Sequence, residues 1–259
     1  MQRPKILTLD IETAPLEAWV WSLWKQNVGL NQIVTEWSLL SYAARWLGSK
    51  KVIYKDNRDA VDPRDDRALL DDLWELLNEA DIVVAQNGKK FDLRKIKARF
   101  VMLGYRPFSP VRVIDTMLEA RAAFAFTSSK LEWMSDKLTS SKKMKHEKFP
   151  GFELWKECLS GNVAAWNEMK KYNIQDIKAT EELYLVIRPW IQGHPNITVY
   201  DDHEHQRCPC CGSEHLTQDG HAYTQSGQYL RYLCEDCGAW SRSRYTINTL
   251  AKRKATLSV

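Results

Sequence analysis

Hydrophobic and polar positions alternate in blocks that read as a mixed α/β chain. Lys5-Ile6-Leu7-Thr8-Leu9 is an apolar, partly β-branched run and predicts a buried strand. Asp10-Ile11-Glu12-Thr13 follows at once, and Pro15 ends the strand. Residues 38–46 and 51–55 are two strand-like runs spaced as a hairpin. Leu69, Leu70, Leu73, Leu76 and Leu77 recur at helical spacing, predicting an amphipathic helix over 66–80 capped by Asp65 or Asp66. Residues 81–86 form a short buried strand, Asn87-Gly88 a turn, 91–103 a second helix and 112–115 another strand. From Leu118 the pattern is helical, with Ser128 or Ser129 capping a helix through Leu138. The stretches 161–172 and 173–188 are two helices or one continuous helix.

Between these elements lie segments with other readings. Trp19, Trp21 and Trp24 are expected to fill the core, the alternative being that one stacks on a nucleobase. The polar loop 139–148 carries Lys142, Lys143, Lys145 and Lys148, and could follow a phosphate backbone or simply be a solvated charged loop. Residues 196–205, with His203 and His205 among acids, read as a linker between a first domain, 1–195, and a second, 206–259.

At 259 residues, 44% hydrophobic and 27% charged, the chain can build one sizeable core and a small second domain. No apolar run approaches the ~18 residues of a membrane helix, and no secretory signal opens the sequence. A cytoplasmic location without membrane partners is the expectation. The net charge of +4 permits nucleic-acid binding without demanding it.

Carboxylates carry the candidate chemistry. The strand period of two sends Asp10 and Glu12 to one face, where they repel unless a divalent cation lies between them. Asn87-Gly88-Lys89-Lys90-Phe91-Asp92 sets a third acid at the start of a helix that follows a buried strand. Tyr172 and Asp176 stand four residues apart, on one helical face. Asn87 could reach a substrate end or simply form the turn, Phe91 is expected in the core, and Asp115 could lie near the site or cap a helix.

Five of the six cysteines lie in the last fifth of the chain, so they form a local device, whereas Cys158 reads as an inert buried thiol. Cys208-x-x-Cys211 and Cys234-x-x-Cys237, each followed by glycine, have the spacing of a tetrahedral structural Zn²⁺ site. Cys210 is a spare thiol that could substitute as a ligand, and a disulfide framework is the other reading. Residues 206–259 hold seven Lys or Arg against four Asp or Glu, but four thiolates on Zn²⁺ carry a formal −2, which cancels most of that excess. Tyr223, Tyr229, Tyr232 and Trp240 alternate with Arg231, Arg242 and Arg244, which suits stacking on single strands; docking to a polymerase or helicase is the alternative.

The ordered set D-x-E, N-x-x-x-F-D and Y-x-x-x-D resembles the DEDD superfamily of exonucleases, on the ribonuclease-H-like fold. Tyr172 points to the DEDDy branch, since Lys171 stands where the sister branch has His. Stand-alone bacteriophage exonucleases and polymerase proofreading domains are similar. Gln86 replaces the His that some relatives carry before the Asn. The resemblance covers Lys5 to about Trp190. It implies an α/β fold with a ribonuclease-H-like mixed sheet flanked by helices, plus the C-terminal zinc ribbon. It further implies a 3′-to-5′ exonuclease acting on DNA through two Mg²⁺ or Mn²⁺ ions. Asp10, Glu12 and Asp176 would hold one ion, Asp10 would bridge to the second, and Asp92 would support that one directly or through water. Tyr172 would orient the attacking water, and Asn87, Lys142 and Lys143 are the substrate-binding candidates. A nuclease acting on RNA, and a non-catalytic zinc-ribbon scaffold, are the competing readings.

Overall fold

The computed structural model describes residues 3–257. Two compact units divide the chain, one spanning Lys5–Tyr184 and the other running from Leu185 onward together with the residues before Lys5. The first carries β1 (Ile6–Thr13), β2 (Glu17–Ala18), β3 (Ile33–Thr35), β4 (Leu39–Trp46), β5 (Ile53–Asp56), α1 (Arg67–Glu79) and β6 (Ile82–Ala85). It continues through α2 (Asp92–Met102), β7 (Arg112–Asp115), α3 (Thr116–Ala123), α4 (Leu131–Leu138), α5 (Glu153–Leu159) and α6 (Val163–Ile187).

Five strands form one mixed sheet in the order β5-β4-β1-β6-β7. β1 is central, antiparallel to β4 and parallel to β6, so both its edges are hydrogen-bonded. The expected hairpin is present as β4 and β5. Strand alternation then assigns the two faces. Leu7, Leu9 and Ile11 join Leu70 and Leu73 of α1 and Ile96 and Phe100 of α2 in one buried cluster. Leu40 belongs to a second cluster with Leu154 and Cys158 of α5 and Trp166 and Met169 of α6. Asp10 and Glu12, alternating with Leu9 and Ile11, therefore face the α5–α6 layer.

Several elements differ from the sequence reading. Of the two expected caps of α1, Asp65 accepts from the Arg67 N–H at 3.2 Å, while Asp66 makes no side-chain capping bond. Asp66 is fully buried, pairs with Arg99 at 2.7 Å and accepts from the Leu39 N–H at 2.9 Å. An ion pair placed there leaves no uncompensated charge in the core. Helix α6 is one continuous run of 25 residues. The tryptophans expected in the core are instead exposed, Trp19 at 76%, Trp21 at 96% and Trp24 at 81%. They lie between β2 and β3, a two-stranded ribbon too short to bury a hydrophobic face of its own.

The second unit is a three-stranded sheet in the order β10-β9-β8, built from β8 (Leu216–Tyr223), β9 (Gln228–Cys234) and β10 (Trp240–Arg242), followed by α7 (Leu250–Ala255). Part of the expected linker is structured within it. Residues Ile197–Tyr200 form a 3-10 turn, capped by Asn196, whose side chain accepts from the Thr198 N–H. The Ile197 N–H donates to Pro209 O at 2.9 Å, tying this turn to the first cysteine loop. Among the described residues, no helix is long and apolar enough to cross a membrane.

Candidate active site and zinc site

Four acids from three elements come together beside β1. β1 supplies Asp10 and Glu12, the N-terminus of α2 supplies Asp92, and α6 supplies Asp176. Asp92 is buried, and its Oδ1 accepts from the Ile11 N–H at 3.1 Å, which locks α2 against the strand between the other two acids. Asn173, wholly buried on α6, donates from Nδ2 to Asp10 Oδ2, while its Oδ1 accepts from Ser41 Oγ at 3.2 Å. Trp155 on α5 donates from Nε1 to Glu12 Oε2 at 3.0 Å. Its ring meets His146 and Tyr172 edge-on, at 5.3 and 6.4 Å between centroids.

Lys143 enters this cluster from the loop after α4. Its ammonium donates to Tyr172 Oη at 2.8 Å and pairs with Asp176 Oδ2. Lys142, expected beside it as a phosphate contact, is turned to another use. Its ammonium donates to the carbonyls of Ser135, Asp136 and Thr139, at 3.1, 2.7 and 2.7 Å, and so closes the C-terminal end of α4. Asn87 forms the turn, with φ at +62°, and its N–H donates to Asp115 Oδ1 at 3.0 Å. Asp115 also accepts from the Met117 and Leu118 N–H groups, so it caps α3 while holding the Asn87 loop.

The electrostatics are those of a site short of positive charge. Burial raises the Asp10 carboxyl well above its ordinary range, and Asp92, Glu12 and Asp176 push it further. Burial, then Asp176, lifts Glu12 to about 8. Asp92 is pushed up to about 7 by burial, against the hydrogen bond from Ile11. Burial would lower Lys143, but Asp176 and Tyr172 beside it hold its ammonium above the usual range. Asp176 Oδ1 is buried without a hydrogen-bond partner. No three of the described carboxylates bring one oxygen each within 4.8 Å of one another. A hard divalent cation fits this donor set: the ligands are all oxygen, one is orphaned, and their repulsion is only partly relieved by Lys143.

A pH dependence follows. Raised carboxyl values mean that the contribution of these acids to stability, without a bound cation, is fully present only below the ordinary carboxylate range, near pH 4. Stability is lost as pH rises through about 7 for Asp92 and about 8 for Glu12. With no divalent ion added, Tm should fall between about pH 5 and pH 9, and Glu12→Gln should flatten that fall. Mn²⁺ should raise Tm more at about pH 8 than at pH 5; equal shifts in a thermal scan would contradict the assignment.

Gly88 shapes the turn before Asp92. A Cβ there would lie 2.4 Å from Ala85 Cβ and 3.7 Å from Asp92 Oδ2. Gly88→Ala should therefore cost roughly 1–3 kcal/mol in urea unfolding and weaken Mn²⁺ binding, since the backbone that must shift carries Asp92. An unchanged urea midpoint would show that the turn relaxes freely.

The cysteines make a second site. The Sγ atoms of Cys208, Cys211, Cys234 and Cys237 all lie within 4.8 Å of one another. Cys208 and Cys237 are 3.6 Å apart and Cys211 and Cys234 3.5 Å, beyond a disulfide's ~2.05 Å and close to the ~3.8 Å edge of a tetrahedron with Zn–S of ~2.3 Å. Each loop ends in a left-handed glycine, Gly212 and Gly238, both with φ of +75°, whose N–H returns to the carbonyl of Cys208 or Cys234. Burial raises the Cys234 thiol, but the N–H groups of Cys237 and Asp236 outweigh it and draw its pKa below the ordinary value, whereas burial pushes Cys211 and Cys237 up. Cys210 is outside the cluster and directs its Sγ to Arg188 O at 3.5 Å. These four cysteines could hold a zinc ion.

Residues 29–187 match the family model RNase_H_2. The chain belongs to the RNase H superfamily. Within the matched span fall Asp92, Tyr172 and Asp176, while Asp10 and Glu12 precede it. This RNase H-type fold is similar to the family B DNA polymerase from the hyperthermophilic archaeon Pyrobaculum calidifontis, at 15% identity with a TM-score of 0.50. That likeness covers 73% of this chain and 25% of the polymerase, and it concerns the fold alone. No curated protein sequence matches the chain. In this RNase H-superfamily member, the sequence pattern singles out the four acids and Tyr172, but not Asn173 or Trp155, which hydrogen-bond to Asp10 and Glu12. Asn173 sits next to Tyr172 on the chain, yet only the packing of α6 on β1 and β4 shows its use.

Proposed function

We propose that the chain is a 3′-to-5′ exonuclease of the DEDDy type that removes nucleotides from single-stranded DNA. The observation that carries this reading is that the buried Asp10 carboxyl feels the charges of Glu12, Asp92 and Asp176 together, while Asp176 Oδ1 is left without a hydrogen-bond partner and Tyr172 stands one helical turn before it. Two Mg²⁺ or Mn²⁺ ions held by those acids would supply the charge that offsets developing negative charge on the attacking and leaving oxygens. Water's oxygen bonds to the terminal phosphorus, the bond from phosphorus to O3′ breaks, and a nucleoside 5′-monophosphate leaves behind a new 3′-hydroxyl. Burial and then Asp176 push the Tyr172 phenol above its ordinary value, so it keeps its proton at neutral pH. It acts as a hydrogen-bonding guide for the water rather than as a base. Trp155 and Asn173 fix the rotamers of Glu12 and Asp10. Lys143 offsets charge on the acidic side, and in this reading its ammonium would turn to a phosphate oxygen of the substrate.

The test is degradation of a 5′-labelled single-stranded DNA with Mg²⁺ or Mn²⁺. A ladder shortening from the 3′ end, with 5′-mononucleotides as product, is expected. Internal cuts without mononucleotides would exclude the exonuclease reading, and faster trimming of a matched RNA would reassign the substrate.

A further inference from the structure

We propose that one face of the β8-β9-β10 sheet is a second, non-catalytic binding surface for single-stranded nucleic acid. It seats bases on two guanidinium–aromatic pairs. Strand pairing sets Arg242 opposite Arg231 and Trp240 opposite Leu233. Residues opposite one another share a face, and alternation along β9 adds Tyr229 to it. The guanidinium carbon of Arg231 lies 4.5 Å from the Trp240 ring centroid, and that of Arg242 lies 4.0 Å from the Tyr229 ring. Tyr232 and Ser241 alternate to the opposite face, so the aromatic residues of this segment are sorted into two surfaces.

Three observations point to a polyanion with exposed bases. First, the rings and the guanidiniums are accessible: Trp240 is 50% exposed and Arg242 is exposed. A planar cation lying over a ring presents a flat, sequence-tolerant platform, which suits an unpaired base and not a base inside a duplex. Second, the positive charge is concentrated. Arg231 is near Asp219, with Nη2 3.6 Å from Oδ2 and Nε donating to its carbonyl at 2.8 Å. Among the described residues, Arg242 and Arg244 have no carboxylate within ion-pair distance, and Arg242 Nη1 donates to Ser243 O at 3.2 Å. Third, more cations are tied to the Tyr229 end. The Ile247 N–H and the Thr246 hydroxyl donate to Gln228 O at 2.8 and 2.9 Å, and Lys252, Arg253 and Lys254 follow on α7. Bases on the Arg–aromatic pairs and phosphates along these cations would give one strand a continuous track. The choice of nucleic acid over an acidic peptide rests on the nuclease reading of the Lys5–Tyr184 unit.

The experiment uses the full chain, a fluorescein-labelled dT oligonucleotide, and buffer with neither chelator nor added divalent ion. Binding is read as anisotropy over a salt series. Arg231→Ala with Arg242→Ala is expected to weaken binding about tenfold or more. It should also reduce the slope of log K against log salt by up to roughly 1.4, because two positive charges beside the strand are lost at ~0.7 each. The double lysine variant should keep that slope but still lose affinity, because an ammonium cannot lie flat on a ring. Zinc content reports that the variants remain folded. Hydrolysis of the p-nitrophenyl ester of thymidine 5′-phosphate, which has a single nucleoside and no strand to seat on the sheet, is expected to be unchanged. Affinity within about twofold of the unmodified chain overturns the proposal, as does tighter binding to an acidic peptide than to the oligonucleotide. Failure of the unmodified chain to cleave any ester or oligonucleotide, with the anisotropy result as expected, sinks the exonuclease reading and leaves the binding surface standing.

Discussion

Asp10→Ala should reduce removal of 3′-terminal nucleotides by about a thousandfold or more, the largest functional effect of any single substitution in the chain. Asp10 occupies the central strand, and Asp92, Glu12 and Asp176 all act on its carboxyl. Asn173 fixes its orientation. Removing it would take away the carboxylate that, in the proposed mechanism, both ions share. It also relieves repulsion, so the variant should fold at least as well without added cation. Asp10→Asn keeps the shape and should be nearly as inactive, because a neutral amide oxygen cannot offset divalent charge. Single-turnover rates with Mn²⁺, alongside a thermal scan and zinc content, separate lost chemistry from lost structure. A variant with rates near those of the unmodified chain would remove the carboxylate cluster from the mechanism.

Replacing Cys234 and Cys237 together by Ser should abolish zinc binding and unfold the second unit, the largest expected effect on stability. Binding free energy at a structural zinc site is folding free energy, about 10–16 kcal/mol for small zinc domains. The buried cluster around the cysteines contains little besides them, with Ala239 buried and Leu216 packed against it. Such a core is too small to hold the three-stranded sheet without metal. The expected results are loss of bound zinc and collapse of the dispersed amide signals of β8 and β9 in a heteronuclear spectrum. Hydrolysis of the small ester should persist, since the Asp10 site lies in the other compact unit. Dispersed β8 and β9 signals without zinc would show that the sheet is self-sufficient.

What could be read without coordinates follows from how local each signal is. Asp10 with Glu12, and Tyr172 with Asp176, are separated by one period of a strand or a helix, so geometry puts each pair on one side. The cysteine loops are likewise local, and only the orientation of Cys210 toward Arg188 was needed to set it apart. Trp155 was not legible, because its donation to Glu12 spans 143 positions and depends on α5, a short helix whose Leu154 and Cys158 are a faint signal. Lys142 and Lys143 look equivalent in sequence, yet one binds carbonyls at the end of α4 and the other binds Asp176. Trp19, Trp21 and Trp24 were assigned by hydrophobicity to an interior that their short two-stranded ribbon does not supply.

Glu182 of α6 accepts from the N–H groups of Ser140 and Ser141, at 2.6 and 2.8 Å, a few residues before Lys143. The lysine's backbone is thus strapped to the helix that carries Asp176. A cation loading the proposed site would have to displace only the ammonium, which can swing about its own side-chain bonds in nanoseconds, instead of waiting for a loop to open over microseconds or longer. Loading the site should therefore be limited by how fast hydrated ions shed water and not by any gate in the protein.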